Sequence, residues 1–223
     1  MKKQKDQQFR ISMKTLLGEG NPVWQDDDEF IRLYNEVEDM SLVSPYRCFN
    51  LYQFAQNANS LHGQFAQVGI YKGGSARLIS RVKSKFKKFY LFDTFSGLPK
   101  HNFKIDDYTK GKFSDTNLSA IKKLFAKDRT VQIFKGIFPK TGKEIEKEKI
   151  AFVYIDVDLY KSNFDALEFF YKRMVPGGIM IFDDYGWRYC EGIKKSIEDF
   201  IKKYKIQERP IVTTKYQCVI IKS

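Results

Sequence analysis

From residue 63 onward, short apolar runs alternate with amphipathic stretches. Residues 64–70 predict a strand, 75–83 a helix and 89–92 a second strand, with a polar loop over 96–114. A helix near 118–125 and a third strand over 130–134 follow. The run IAFVYI at 150–155 is apolar throughout, the pattern of a strand buried on both faces. The next segment carries Phe164, Leu167, Phe170 and Met174 on one side of a helix, which Pro176-Gly177-Gly178 is expected to stop before a fifth strand at 179–182. Ile193, Ile197, Phe200, Ile201 and Tyr204 mark a last long helix, with Lys194, Lys195, Lys202 and Lys203 on its wet face. Two closing strands, near 210–213 and 216–221, flank a turn. Upstream, Phe30, Leu33, Tyr34 and Val37 have helical spacing over 29–40 behind the acidic triplet Asp26-Asp27-Asp28, which suits a helix N-terminus. Pro45 opens a second helical stretch through Phe49, Tyr52 and Phe54.

Strands that alternate with helices predict an α/β fold with a mostly parallel, seven-stranded sheet covered on both faces. We divide the chain into an N-terminal helical extension, residues 1–60, and one α/β domain, residues 61–223. In such sheets ligands bind beyond the carboxyl ends of the strands. The 223 residues suffice for one well-buried core, with 20 Phe and 13 Tyr to build it. There is no apolar run long enough to span a bilayer, and the polar start is unlike a secretory leader. Cys48, Cys190 and Cys218 lack metal-knuckle spacing and are expected to be buried thiols, which fits a reducing cytoplasmic location. The net charge of +12 is spread along the chain at helix-surface spacing, without an aromatic nucleic-acid motif, so no nucleic-acid partner is expected.

Three features at predicted strand ends carry chemistry. The first is the turn Gln67-Val68-Gly69-Ile70-Tyr71-Lys72-Gly73-Gly74-Ser75. Its glycines permit close backbone approach to a ligand, and Ser75 is expected to cap the following helix. The second is Asp93, which ends FYLFD and is placed to accept hydrogen bonds from ribose hydroxyls. Together they outline a nucleoside-binding crevice. The third is a set of four carboxylates, Asp156 and Asp158 after IAFVYI and Asp183-Asp184 after IMIF. Their repulsion is relieved by a hard divalent cation, which takes oxygen ligands. A cation there lowers the pKa of a bound hydroxyl, and a spare carboxylate takes its proton, the combination that methyl transfer to an alcohol requires.

The segments VGIYKGGSARL, FDTFSGLP, FVYIDVDLYKSNFDALEFFYKRMVPGGIMIFDDYG and RPIVTTKYQCVIIK resemble the macrocin O-methyltransferase family over residues 40–223. The family methylates sugar hydroxyls in antibiotics. The resemblance implies a Rossmann-like class I methyltransferase fold, S-adenosylmethionine and Mg²⁺. By motif, Asp156, Asp183 and Asp184 correspond to metal ligands and Asp158 to the general base, so that Asp156 and Asp158 carry the catalysis. Gly69, Gly73 and Ser75 correspond to the turn that lines the methionine part of the cofactor, and Asp93 to its ribose ligand. Phe95 and Ser96 correspond to adenosine contacts, Ser114 and Gly136 to adenine contacts. The sequence departs from the family at Gln67, where a Glu usually supports the cofactor's amino group, and in a shorter, Lys-rich stretch over 100–115 that is expected to form a substrate lid.

His101, after the GLP turn, is expected in a surface loop, with a secondary base facing the site as the alternative, and Tyr185 and Trp187 are candidates either for stacking on a sugar ring or for packing against the last helix. The acceptor implied is a sugar-containing small molecule; the basic surface suggests an anionic one. The family also implies a homo-oligomer, a dimer or larger. Two other readings exist. In a glycosyltransferase, Asp156-x-Asp158 would bind a nucleotide sugar, which leaves Gly73-Gly74 and Asp183-Asp184 without roles. A non-catalytic basic nucleotide- or nucleic-acid-binding module would be indifferent to the loss of Asp158.

Overall fold

The computed structural model describes residues 22–99, 105–106 and 111–223. After a short 3-10 turn, helix α1 (Asp28–Asn35) starts at Asp27, whose carboxylate accepts the backbone N–H of Phe30 at 2.8 Å. The expected longer helix ends early. Val37 turns into the core fully buried, and the chain continues as a 3-10 turn over Glu38–Met40. Helix α2 (Pro45–Asn57) begins on Pro45, whose missing N–H costs nothing at a helix start.

The alternating region follows as β1 (Gln64–Val68), α3 (Gly74–Val82), β2 (Phe89–Asp93), α4 (Leu118–Leu124) and β3 (Val131–Lys135). Then come β4 (Ile150–Ile155), α5 (Tyr160–Tyr171), β5 (Met174–Tyr185), α6 (Glu191–Tyr204), β6 (Ile211–Thr214) and β7 (Tyr216–Ile221). The strands form one seven-stranded sheet in the order β3-β2-β1-β4-β5-β7-β6. The first five are parallel, and β7 pairs antiparallel with both β5 and β6. Strand order reverses between β1 and β4, so the crevice expected of an open α/β sheet lies at their carboxyl ends.

Pro176-Gly177-Gly178 does not stop a helix. Helix α5 has already ended at Tyr171, and the tripeptide lies inside β5. The Gly177 N–H donates to Lys222 O at 2.7 Å and the Lys222 N–H to Gly178 O at 2.9 Å, so the sheet continues through it.

Both sheet faces are covered. On one, Val153, Ile155, Met180 and Phe182 pack with Leu167, Phe170, Ile197 and Phe200 from α5 and α6. On the other, Phe65, Leu91, Phe152 and Ile181 pack with Leu51 of α2 and Ile79 of α3. A third cluster joins Phe30 and Leu33 of α1 to Phe49 and Tyr52 of α2 and Leu78 of α3. The helices before β1 are thereby packed onto the sheet's own helical layer. Among the described residues, no helix is long and apolar enough to cross a membrane.

Candidate active site at the carboxyl ends of the strands

A cleft of about 1150 Å³, its open mouth included, lies over the ends of β1, β2, β4 and β5. Of the residues selected from sequence, Gly69, Ser75, Asp93, Gly136, Asp156, Asp158, Asp183 and Asp184 line it. Gln67, Gly73, Phe95, Ser96 and Ser114 do not. Gln67 is fully buried behind the turn, Phe95 packs into the core, and Ser96 and Ser114 are exposed beside the cleft. A Cβ on Gly73 would meet Ile121 and Leu124, so its α-carbon faces α4 and not the cleft. His101 lies outside the described residues.

The turn after β1 is held by hydrogen bonds from both sides. Gly69 has φ +84°, and a Cβ there would overlap the carbonyl oxygen of Asp156. Glycine is therefore required both by backbone geometry and by the closeness of β4. Ser75 does not cap α3 as expected. The cap position is Gly73, in the left-handed region, and no side chain caps the helix. Ser75 sits inside the first turn, where its hydroxyl accepts from Gln67 Nε2 at 2.9 Å. The same amide nitrogen donates to Gly69 O at 2.8 Å, while Gln67 Oε1 is buried with no hydrogen-bond partner.

Asp93 gives its carboxylate to the backbone. Oδ2 accepts the N–H of Ile70 at 2.7 Å and of Tyr71 at 3.0 Å, and Oδ1 accepts the N–H of Phe95 at 2.7 Å. One side chain thus fixes the glycine turn relative to the loop after β2. Beyond it, Tyr71 and Lys72 reach Asp115, each at 2.8 Å, and tie the turn to the chain that leads into α4.

The four other aspartates face one another at the ends of β4 and β5. Asp156, Asp183 and Asp184 each offer a carboxylate oxygen, all within 4.8 Å of one another. A second grouping joins Asp158, Asp184 and Cys190, but a thiol suits a hard cation less well than an all-carboxylate set. Asp158 and Asp184 both hold left-handed backbone, with φ 60° and 58°. Tyr71 and Phe113, which also line the cleft, do so too. Such conformations cost roughly 1 kcal/mol or more each and concentrate at functional sites.

Burial and mutual repulsion raise the pKa values of this cluster. Asp156 is pushed up to about 7 by burial and by Asp184, against the pull of Arg47 and Tyr154. Asp158 is raised well above the usual carboxylate range by burial, Asp156 and Asp184, with Lys112 opposing. Asp183 is raised well above that range by burial and Asp156, and Asp184 is raised chiefly by burial.

Three residues not singled out from sequence complete the site. Arg47 of α2 is buried, and its Nη1 donates to Asp183 Oδ2 at 2.5 Å and to Asp184 Oδ1 at 3.3 Å. Burial works against its charge, but Asp183, Asp156 and Asp184 raise its pKa all the same. Gln217 of β7 donates to Asp183 Oδ1 at 3.1 Å and is itself held by Asn50 of α2 at 2.9 Å. Asp106 is buried, and its Oδ1 accepts the Tyr160 N–H at 2.8 Å, which caps α5 just after Asp158. Sequence offered one usable signal for Arg47, a lone cation in an otherwise apolar and neutral helix; for Gln217 and Asp106 we find none. Of the two aromatic candidates, Trp187 lines the cleft and stacks on Tyr216 at 5.2 Å, whereas Tyr185 packs against the core and does not.

The sequence profile described as macrocin-O-methyltransferase (TylF) matches residues 39–223. A 4'-O-methyltransferase of a rhamnosyl tetracenomycin from Streptomyces olivaceus is 26% identical over 168 residues, 68% of this chain and 62% of that protein. The chain thus spans under two thirds of that relative's length. Mycinamicin III 3''-O-methyltransferase from Micromonospora griseorubida is 21% identical over 75% of this chain and 72% of its own. Among solved structures, the O-methyltransferase NovP superposes with a TM-score of 0.70 at 20% identity, covering 82% of each chain. An O-methyltransferase from Bacillus cereus in complex with SAH superposes at 0.57 and 18% identity, over 91% of this chain and 93% of that one. These superpositions show a shared class I O-methyltransferase fold, and the profile reaches back beyond β1 to include α2 and Arg47. The chain belongs to the macrocin O-methyltransferase family.

Proposed function

We propose that this protein is an S-adenosylmethionine-dependent O-methyltransferase that acts on a hydroxyl of a sugar or glycosylated small molecule, assisted by a divalent cation such as Mg²⁺. The observation that carries the reading is the meeting, in one cleft, of the glycine turn and Asp93 with three carboxylates whose oxygens lie within 4.8 Å. The names of the related enzymes, which act on rhamnosyl and mycinamicin substrates, support a sugar-bearing acceptor.

The residues present fit both groups. Gln67 Oε1 is a buried acceptor without a donor, directly behind Gly69 and Ser75, and the first N–H groups of α3 have no side-chain cap. A carboxylate on a ligand matches those uncapped N–H groups, while Gln67 stands behind the turn as a buried acceptor. Asp156, Asp183 and Asp184 form an all-oxygen donor set with raised pKa values, the chemistry of a site that takes a hard cation. When bound, the cofactor supplies an electrophilic methyl group and the cation lowers the pKa of the acceptor hydroxyl.

The chain's own residues do the rest. Gly69, Ser75 and Asp93 orient the methyl donor from the β1–β2 side. Asp158, opposite them, accepts the acceptor's hydroxyl proton on its carboxylate, and burial together with Asp156 and Asp184 raises its pKa, which makes that carboxylate a stronger base. Leu42, Phe113, Ile137 and Trp187 give the cleft apolar walls.

Calorimetric titration with S-adenosylmethionine, with and without Mg²⁺, tests the reading. Binding in the micromolar range is expected, and Asp93→Ala weakens it about a hundredfold, because the variant frees three backbone donors that shape the turn. No binding under either condition sinks the methyltransferase reading.

A further inference from the structure

Arg47 comes from a helix that precedes the sheet, yet it reaches the centre of the carboxylate cluster. Its guanidinium touches two of the three candidate cation ligands, and all three side chains are nearly sealed from solvent, at 9%, 3% and 8% exposure. A buried ion pair of this kind is costly unless it has a purpose beyond stability. The cluster Asp156, Asp183 and Asp184 carries three negative charges when ionised. With Arg47 the sum is minus two, the charge that one divalent cation cancels.

We propose that Arg47 is the built-in counter-charge of this site, a positioning residue. It keeps Asp183 and Asp184 aligned before a cation arrives, and it competes with that cation for the same oxygens. It thereby sets the site's affinity for divalent metal and lets the cation exchange. Gln217, itself held by Asn50, donates to the other oxygen of Asp183, so the carboxylate keeps its orientation while Arg47 gives way. The inference rests on the cation site of the proposed function.

The experiment is calorimetric titration of the metal-free protein with Mg²⁺ alone, comparing wild type, Arg47→Met and Arg47→Lys, with melting temperatures in chelator and in Mg²⁺. Arg47→Met is expected to bind Mg²⁺ about tenfold or more tightly, since a cation next to the ligands no longer repels the metal. The same variant is expected to melt lower in chelator and to gain more from Mg²⁺ than wild type does. Arg47→Lys keeps the charge and is expected to stay within about threefold of wild type. If Arg47→Met does not fold, the wild-type protein still decides. The ¹⁵N guanidinium resonance of Arg47, assigned by its loss in Arg47→Lys, is expected to move as Mg²⁺ is added, and a resonance that stays in place overturns the inference. Equal or weaker Mg²⁺ binding by Arg47→Met overturns it too. Absence of Mg²⁺ binding by wild type itself instead removes the cation from the proposed function.

Discussion

The two rims of the cleft solve the same problem, an acidic side chain at the end of a buried strand, in opposite ways. At the β1–β2 rim, Asp93 spends its carboxylate on three backbone N–H groups, and the turn is fixed before any ligand binds. At the β4–β5 rim, Asp156, Asp183 and Asp184 share Arg47, the Tyr154 hydroxyl and the Gln217 amide as donors, and the pKa values of these three and of Asp158 rise. The first rim is preorganised by internal hydrogen bonds. The second holds electrostatic tension, which the proposed cation would release. Left-handed backbone occurs on both rims, at Tyr71 and Phe95 on the first and at Asp158 and Asp184 on the second, whereas the carboxylates with raised pKa values lie on the second.

The comparison is broken most sharply at Asp158. Asp158→Asn removes a proton acceptor from the second rim only, so it is expected to slow methyl transfer to a glycoside acceptor about a thousandfold. Affinity for S-adenosylmethionine, measured by calorimetry, should stay within about twofold of wild type. Comparable losses in both measurements would mean that the rims are not separable.

Gly69 is the seam between them. Its α-carbon presses on the Asp156 carbonyl, and the Asp156 N–H donates to Val68 O at 2.9 Å. Gly69→Ala is expected to cost about 3 kcal/mol or more in denaturant unfolding, from left-handed strain plus overlap with β4. A stability loss below about 1 kcal/mol would show that β1 and β4 can part there at little cost.

The smallest effect separates the rims by pH. Asp156 is held at about 7 in the folded, metal-free protein, above the value of about 3.9 for an unfolded-chain carboxylate. A raised folded pKa means stability present at low pH and lost as pH rises toward and through about 7. In chelator, the melting temperature is therefore expected to fall by a few degrees between about pH 4 and pH 7 through this group. Mg²⁺ should flatten the slope, and so should Asp156→Asn. A melting temperature that rises over this window would contradict the assigned tension.

Much of this was legible along the chain. IAFVYI reads as a strand buried on both faces because every residue is apolar, and the structure buries all six. The paired Asp-x-Asp and Asp-Asp endings announced an acidic cluster, since adjacent parallel strands bring their ends together. Pro176-Gly177-Gly178 misled because its local signal is that of a breaker, whereas the hydrogen bonds that keep it in β5 come from Lys222, far along the chain. Ser75 misled similarly. It has the chemistry of a cap, but Gly73 takes the cap position because the turn needs a left-handed residue there.

The sequence by itself determined the strand–helix alternation, the parallel core and the candidate carboxylates, because hydrophobic period and strand-end chemistry are local properties. Only the tertiary structure decided which acidic groups are satisfied and which are under tension. That depends on donors from distant elements, Arg47 and Asn50 from α2, Gln217 from β7 and Asp106 ahead of α4, and neither burial nor charge balance is a property of any single segment.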